Sequence, residues 1–195
     1  MARLKDMSKR VTILQTAKML FSHKGFFNTS ISDIVRETGM PVGTIYTYFK
    51  SKEEIVREIV EVGWQDLYTR LEQAVSSPGP VEDKLRMLIE QFIPELLNDL
   101  DLINILLSEA IHYTRLEEKI EKLTDLVFSL LKRTQAQSAL IKSSSRANIE
   151  TALVVFFLGI LDTVRVSRAS SLGIKVRDVL EFVKSITEDT LKIRL

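Results

Sequence analysis

The chain has no cysteine among its 195 residues, so disulfides, thiolate metal sites and cysteine nucleophiles are excluded. It has only two histidines, His23 and His112. Neither belongs to a His-Glu-x-x-His or Glu-x-x-His pair, the helical spacings that set two zinc ligands on one face. Its seven glycines are scattered, with no glycine-rich phosphate loop and no Gly-x-Ser-x-Gly elbow for a serine nucleophile. Long apolar runs are missing too. The longest, Ala152–Leu161, is about half of what a bilayer crossing needs. No apolar stretch follows Met1-Ala2-Arg3-Leu4-Lys5-Asp6, as a secretory signal requires. These absences leave no catalytic residue, metal site or cofactor to expect, and they point to a cytoplasmic protein without a membrane partner. What is present, 45% hydrophobic and 27% charged residues, is the composition of a chain that buries a core.

The net charge of +1 hides a division. Residues 1–52 carry nine Lys/Arg against Asp6, Asp33 and Glu37, a net of +6, and the remainder carries 18 against 23 acids, a net of −5. A basic first part beside an acidic second part suggests that only the first meets a polyanion, although chance variation of a solvated surface is the plainer reading of charge alone.

Periodicity is helical nearly throughout, and no strand pattern or internal repeat is found. Ile13, Leu14, Ala17, Leu20 and Phe21 form one face of a first helix ending near Lys24-Gly25. Ser30-x-x-Asp33 is a capping-box start for a short second helix with Ile31, Ile34 and Val35 inward, and Gly39 stops it. Pro41 restarts the chain into a third short helix to Phe49, and Ser51-x-x-Glu54 opens a long fourth. Further helices are expected over Val81–Asn98, with Pro94 kinking it or weakening its last turn, and over 101–112. Others run from a Thr114-x-x-Glu117 cap, from Arg146 to Arg168, and from Val176 to the end. Thr134 to Ser145 reads as a loop. The expectation is an all-α fold of about nine helices, divided as 1–52 and 53–195.

Two short helices joined through Gly39-Met40-Pro41, with a third before them, form a helix-turn-helix over about residues 30–49. With Ile45 and Phe49 turned inward, the third helix presents Val42, Gly43, Thr44, Tyr46, Thr47 and Tyr48. This row of small, hydroxyl and aromatic side chains is nearly uncharged, which suits DNA better than bulk water.

These residues resemble the TetR/AcrR family of bacterial regulators. The resemblance runs through Ile13-Leu14-x-x-Ala17-x-x-Leu20-Phe21-x-x-x-Gly25-Phe26 and Thr29-Ser30-Ile31-x-Asp33-Ile34-Val35. Its strongest part is Thr38-Gly39-Met40-Pro41-Val42-Gly43-Thr44-Ile45-Tyr46-x-Tyr48-Phe49-x-Ser51-Lys52-Glu53-Glu54. It covers roughly the first 55 residues. The resemblance implies a dimeric regulator, without enzymatic activity, that is released from a palindromic double-stranded DNA operator by a small molecule. It implies phosphate contacts by Thr44, Tyr46 and Tyr48, base-edge contacts by Val42, Gly43 and Thr47, and backbone contacts by Ser30 and Ser32. Lys52 would neutralise a phosphate at the start of the fourth helix. Pro41 stands where the family usually has a capping Ser or Thr, and Val42 replaces a commonly polar residue.

The second part is rich in apolar and aromatic residues. Trp64, Tyr68, Phe92, His112, Phe128 and Phe156 are candidates to line a cavity for a largely hydrophobic effector, although aromatic residues on helices are more often core. Phe157, Gly159, Ile160, Val176, Val179 and Val183 are candidates for the seam of a homodimer built from the last two helices. The competing reading is an all-α small-molecule-binding protein or enzyme that keeps a helix-turn-helix without reading an operator. Preference for a palindromic fragment over random DNA separates the two.

Overall fold

Helix ends in the first half of the chain are set by side chains only a few residues away. Asp6 accepts from the Ser8 N–H at 3.0 Å and starts α1, Met7–Lys24. Ser30 caps α2, Ile31–Thr38, in a complete capping box: its hydroxyl oxygen accepts from the Asp33 N–H, and the Asp33 carboxylate accepts from the Ser30 N–H at 2.9 Å. Gly39, in the left-handed region at φ 66°, ends α2. Pro41 precedes α3, Val42–Tyr48, and supplies no side-chain cap. The start of α4, Lys52–Ser76, departs from the expected box. Ser51 Oγ accepts from the Glu54 N–H at 3.3 Å, but the Glu54 carboxylate reaches the Lys50 N–H, one residue short of a reciprocal box.

The computed structural model describes residues 6–133, 145–191 and 194. Among them the chain is helical and without strands. After α4 come α5, Val81–Met87; a π turn, Leu88–Phe92; α6, Ile93–Asn98; α7, Leu100–Leu106; and a 3-10 turn, Glu109–Tyr113. The series closes with α8, Leu116–Arg133; α9, Arg146–Ala169; and α10, Val176–Leu191. The expected loop from Thr134 lies outside the described residues up to residue 144, and Ser145 N-caps α9. Of the two effects expected of Pro94, a kink or a weaker last turn, the disturbance falls before the proline. Proline has no N–H for the carbonyl of Glu90, and the ladder before it widens, with the Ile93 N–H donating to Leu88 O five residues back. The Thr114 hydroxyl donates to Ile111 O at 2.8 Å at the exit of the 3-10 turn, and Arg115 at φ 50° turns the chain before α8. Among the described residues no helix is long and apolar enough to cross a membrane.

Contacts divide the chain into two compact units, residues 1–65 with 100–116, and 66–99 with 117–195. This division differs from the expected boundary after residue 52. The reason is packing: Ile55, Val56, Ile59 and Val60 of α4 and Ile105, Leu106 and Ala110 share one buried core with Ile13, Ala17, Phe21, Phe26, Ile34, Ile45 and Phe49. Asn104 also donates to Ser22 Oγ at 3.2 Å, tying α7 to α1.

The second unit has its own core of Val75, Leu85, Ile89 and Leu130, with Ile93, Leu126 and Val183 packed against it. The ammonium of buried Lys84 donates to Val75 O at 2.7 Å and to Ser77 O, capping the end of α4 with a charge of the favourable sign. Arg70 grips Glu95 with two N–H groups and holds its carboxyl below the usual range. Arg146 gathers Asp125 and Glu150 at the start of α9.

Candidate nucleic-acid interface

In the first unit, α3 is held from below and bare above. Ile45 and Phe49 are buried in the core, Val42 and Tyr46 are 52% and 53% exposed, and Gly43 and Thr47 are exposed between them. Thr44 is half-buried, as is Tyr48, which packs against the core. The Thr47 hydroxyl donates to Gly43 O at 2.8 Å. Its hydrogen is therefore used within the helix, and its methyl and oxygen lone pairs are what it offers outward. Outside its chain neighbours and its own helix backbone, no heavy atom among the described residues stands within 4 Å of where a Cβ on Gly43 would lie, so this glycine meets no packing demand from the rest of the protein.

Beneath α3, the Arg10 guanidinium bonds Glu58 and lies 5.5 Å from the centre of the Phe49 ring. It links α1, α4 and the end of the outward-facing helix. On α2, Ser32 is exposed, and so is Ser30, whose side chain is engaged in the cap. Asp33 also draws in Lys24 at 3.2 Å and Arg36. The Ser30 hydroxyl, the Ser30 N–H and then Lys24 hold its carboxyl far below the usual carboxylate range.

Lys52, expected to neutralise a phosphate, is engaged within the first unit. Its ammonium does not point out from α4 toward a phosphate. It donates to Phe26 O at 2.6 Å, Thr29 O at 2.8 Å and Phe27 O at 3.5 Å, and it sits 4.4 Å from the centre of the Phe26 ring. The arrangement escapes a sequence reading because the partners lie more than twenty residues away.

The candidate cavity residues belong to both units. Trp64 and His112 fall in the first unit, and Tyr68, Phe92, Phe128 and Phe156 in the second. His112 is exposed and Phe156 is 42% exposed, whereas a cavity lining is enclosed. Three of the other rings carry cations of their own: Lys122 on Tyr68 at 5.7 Å, Arg70 on Phe92 at 5.9 Å and Lys132 on Phe128 at 4.3 Å.

The candidate seam also divides. Val179 is buried, and Val183 is half-buried and packs against the second core. Phe157, Ile160 and Val176 are half-buried, and only Gly159 is exposed. The exposed apolar face of α9 is instead Ala152, Val155, Phe156, Gly159 and Val166, and on α10 Phe182 is 60% exposed. The signal for Phe182 was present in the sequence. It stands off the Val176–Val179–Val183 stripe, an apolar residue on the polar side of an amphipathic helix.

Comparison with known proteins matches residues 13–59 to a family model described as bacterial regulatory proteins, tetR family. The HTH-type transcriptional regulator YfiR of Bacillus subtilis, itself uncharacterized, is 38% identical over 66 residues, 34% of this chain and 32% of its own. The chain spans about a third to a half of the length of the curated relatives it matches. Among solved structures, the fatty acid degradation regulator FadR from Bacillus halodurans aligns with a TM-score of 0.74 at 17% identity over 94% of both chains. FadR from Bacillus subtilis, solved in complex with stearoyl-CoA, aligns with a TM-score of 0.71 at 16% identity over 93% of this chain and 97% of its own. At such identities the structural likeness speaks for the fold.

Proposed function

We propose, starting from a chain whose residues 13–59 are a TetR-family regulatory domain, that this protein is a transcriptional regulator. In this reading it is a homodimer that binds a palindromic operator as a repressor and is released by a hydrophobic effector. The observation that carries the reading is the face of α3. Val42, Gly43, Tyr46 and Thr47 stand exposed and uncharged on a helix whose other side is locked into a core. A solvated surface has no use for that combination. A major groove has: a valine or threonine methyl meets a thymine methyl, a tyrosine hydroxyl meets a phosphate, and a glycine lets the backbone approach.

The second copy is proposed to dock on the exposed apolar faces of α9 and α10, through Val155, Phe156, Val166 and Phe182. Two heads supply the contact area that one three-helix head lacks. A stearoyl-CoA-bound structure of the same fold makes long-chain acyl thioesters the first effectors to try. The test is a selection of bound fragments from random DNA, followed by titration of the complex with stearoyl-CoA, stearate and coenzyme A separately. A two-fold-symmetric consensus, released by one of the first two at micromolar concentration, is the expected result. Equal binding to selected and random DNA at matched salt favours the non-reading alternative.

A further inference from the structure

We propose that Lys52 is a positioning residue of the DNA-reading head, a three-point clamp on the turn between α1 and α2, and not a phosphate contact; this rests on reading residues 30–49 as the DNA-binding motif. By local rules the residue is misplaced, since an ammonium on the first residue of α4 sits at the positive end of the helix dipole. The cost is offset by tertiary partners. An ammonium has three N–H donors, and here three carbonyls accept from it: those of Phe26, Phe27 and Thr29. The charge also rests on the face of the Phe26 ring, which is itself buried and packed edge-on to Phe21.

With two carbonyls close and a third at 3.5 Å, the ammonium is engaged inward, and turning it toward a phosphate oxygen would leave the Phe26 and Thr29 carbonyls without their donor. The clamp fixes the residue just before α2. Thr29 is 1% exposed, its carbonyl is held by Lys52, and its hydroxyl donates to Gly25 O at 2.8 Å. Ser30, the next residue, is the N-cap of α2. Lys52 therefore sets where α2 begins, and it acts on DNA through the placement of Ser30, Ser32 and the helix that α2 supports.

Arginine separates the two roles. A guanidinium serves a phosphate at least as well as an ammonium, but its planar fork cannot converge on three carbonyls around one point. Dissociation constants of the full-length wild type, Lys52→Arg and Lys52→Met would be measured across salt concentrations on the fragment selected by the wild type. Amide hydrogen exchange over residues 25–34 would be followed without DNA. Both variants are expected to bind about tenfold more weakly at every salt concentration, on lines parallel to the wild type, with faster exchange in that segment. The clamp is overturned if Lys52→Arg binds like the wild type, or if Lys52→Met lowers the salt slope by about one while exchange is unchanged. If Lys52→Met does not fold, Lys52→Arg alone decides. A wild type with no preferred fragment would sink the regulator reading, and the exchange measurement alone would then decide the clamp: faster exchange over residues 25–34 in the variants supports it, and unchanged exchange refutes it.

Discussion

At Asp33, helix capping and surface charge meet in one carboxylate. It accepts from the Ser30 hydroxyl and N–H and pairs with Lys24 and Arg36, and its pKa is depressed accordingly. The sign follows from linkage. The unfolded group titrates near about 3.9, so the folded-state advantage of the charged form is complete above that value and is lost as pH falls through the lower folded value. Asp33→Asn is therefore expected to be less stable than the wild type at neutral pH, with the gap closing between about pH 4 and 2 in urea denaturation series. Parallel curves down to pH 2 would detach the carboxylate from stability. Ser30 and Asp33 were legible in the sequence because their whole interaction spans three residues. Lys52 was legible only as a cation, because nothing near it in sequence announces the carbonyls of Phe26, Phe27 and Thr29.

Among the elements, the two glycines around α3 do opposite things. Gly39 holds a left-handed conformation in open space. Gly39→Ala is thus expected to cost about 1–2 kcal/mol through backbone strain alone, read by thermal or chemical unfolding. Gly43 lies within a helix and meets nothing. Gly43→Ala should raise stability by about 0.5–1 kcal/mol through helix propensity and yet weaken operator binding. A variant that gains stability and binds DNA unchanged would show that the backbone of α3 does not approach the duplex closely. Most helices were foreseen from period and punctuation. For Pro94 the local rule had two outlets, a kink or a weakened last turn, and the ladder yielded on the N-terminal side, where a proline kink arises.

For the whole molecule, the decisive question is which apolar residues face inward and which wait for a second copy. Periodicity alone cannot tell these apart, because both kinds of face are hydrophobic. Val179, a candidate for the seam, is buried, and Val183 is half-buried against the second core; Phe156, a candidate for the cavity, is exposed beside Val155. Phe156→Glu and Phe182→Glu should therefore leave each protomer folded by circular dichroism. Each should also sediment as a monomer and lose operator affinity, since a phenylalanine removed from water is worth about 1.5–3 kcal/mol per copy. Val183→Glu should instead destabilise the second unit, because it sets a carboxylate against the apolar core that half-buried Val183 packs on. Retention of a dimer by both phenylalanine variants would move the seam off α9 and α10.

The π turn at Leu88–Phe92 has a consequence for how this segment tolerates change. Leu85, Ile89, Ile93 and Leu97 recur every four residues, and all four are turned into the protein. On a regular α-helix each such step overshoots a full turn by about 40°, so the fourth residue would be about 120° out of phase with the first. One wide turn absorbs nearly all of that slippage. The segment thus behaves as a helix with a built-in phase correction, one that can give up a single residue at the wide turn and keep the same face inward. Glu90→Ala, on its exposed side, should shift stability by no more than about 0.5 kcal/mol. Deleting Glu90 should restore a regular ladder with Ile93 and Leu97 still facing inward, because the lost residue removes the roughly 100° that the wide turn absorbs; a loss of several kcal/mol in the unfolding of the second unit would show that the wide turn does not set the phase.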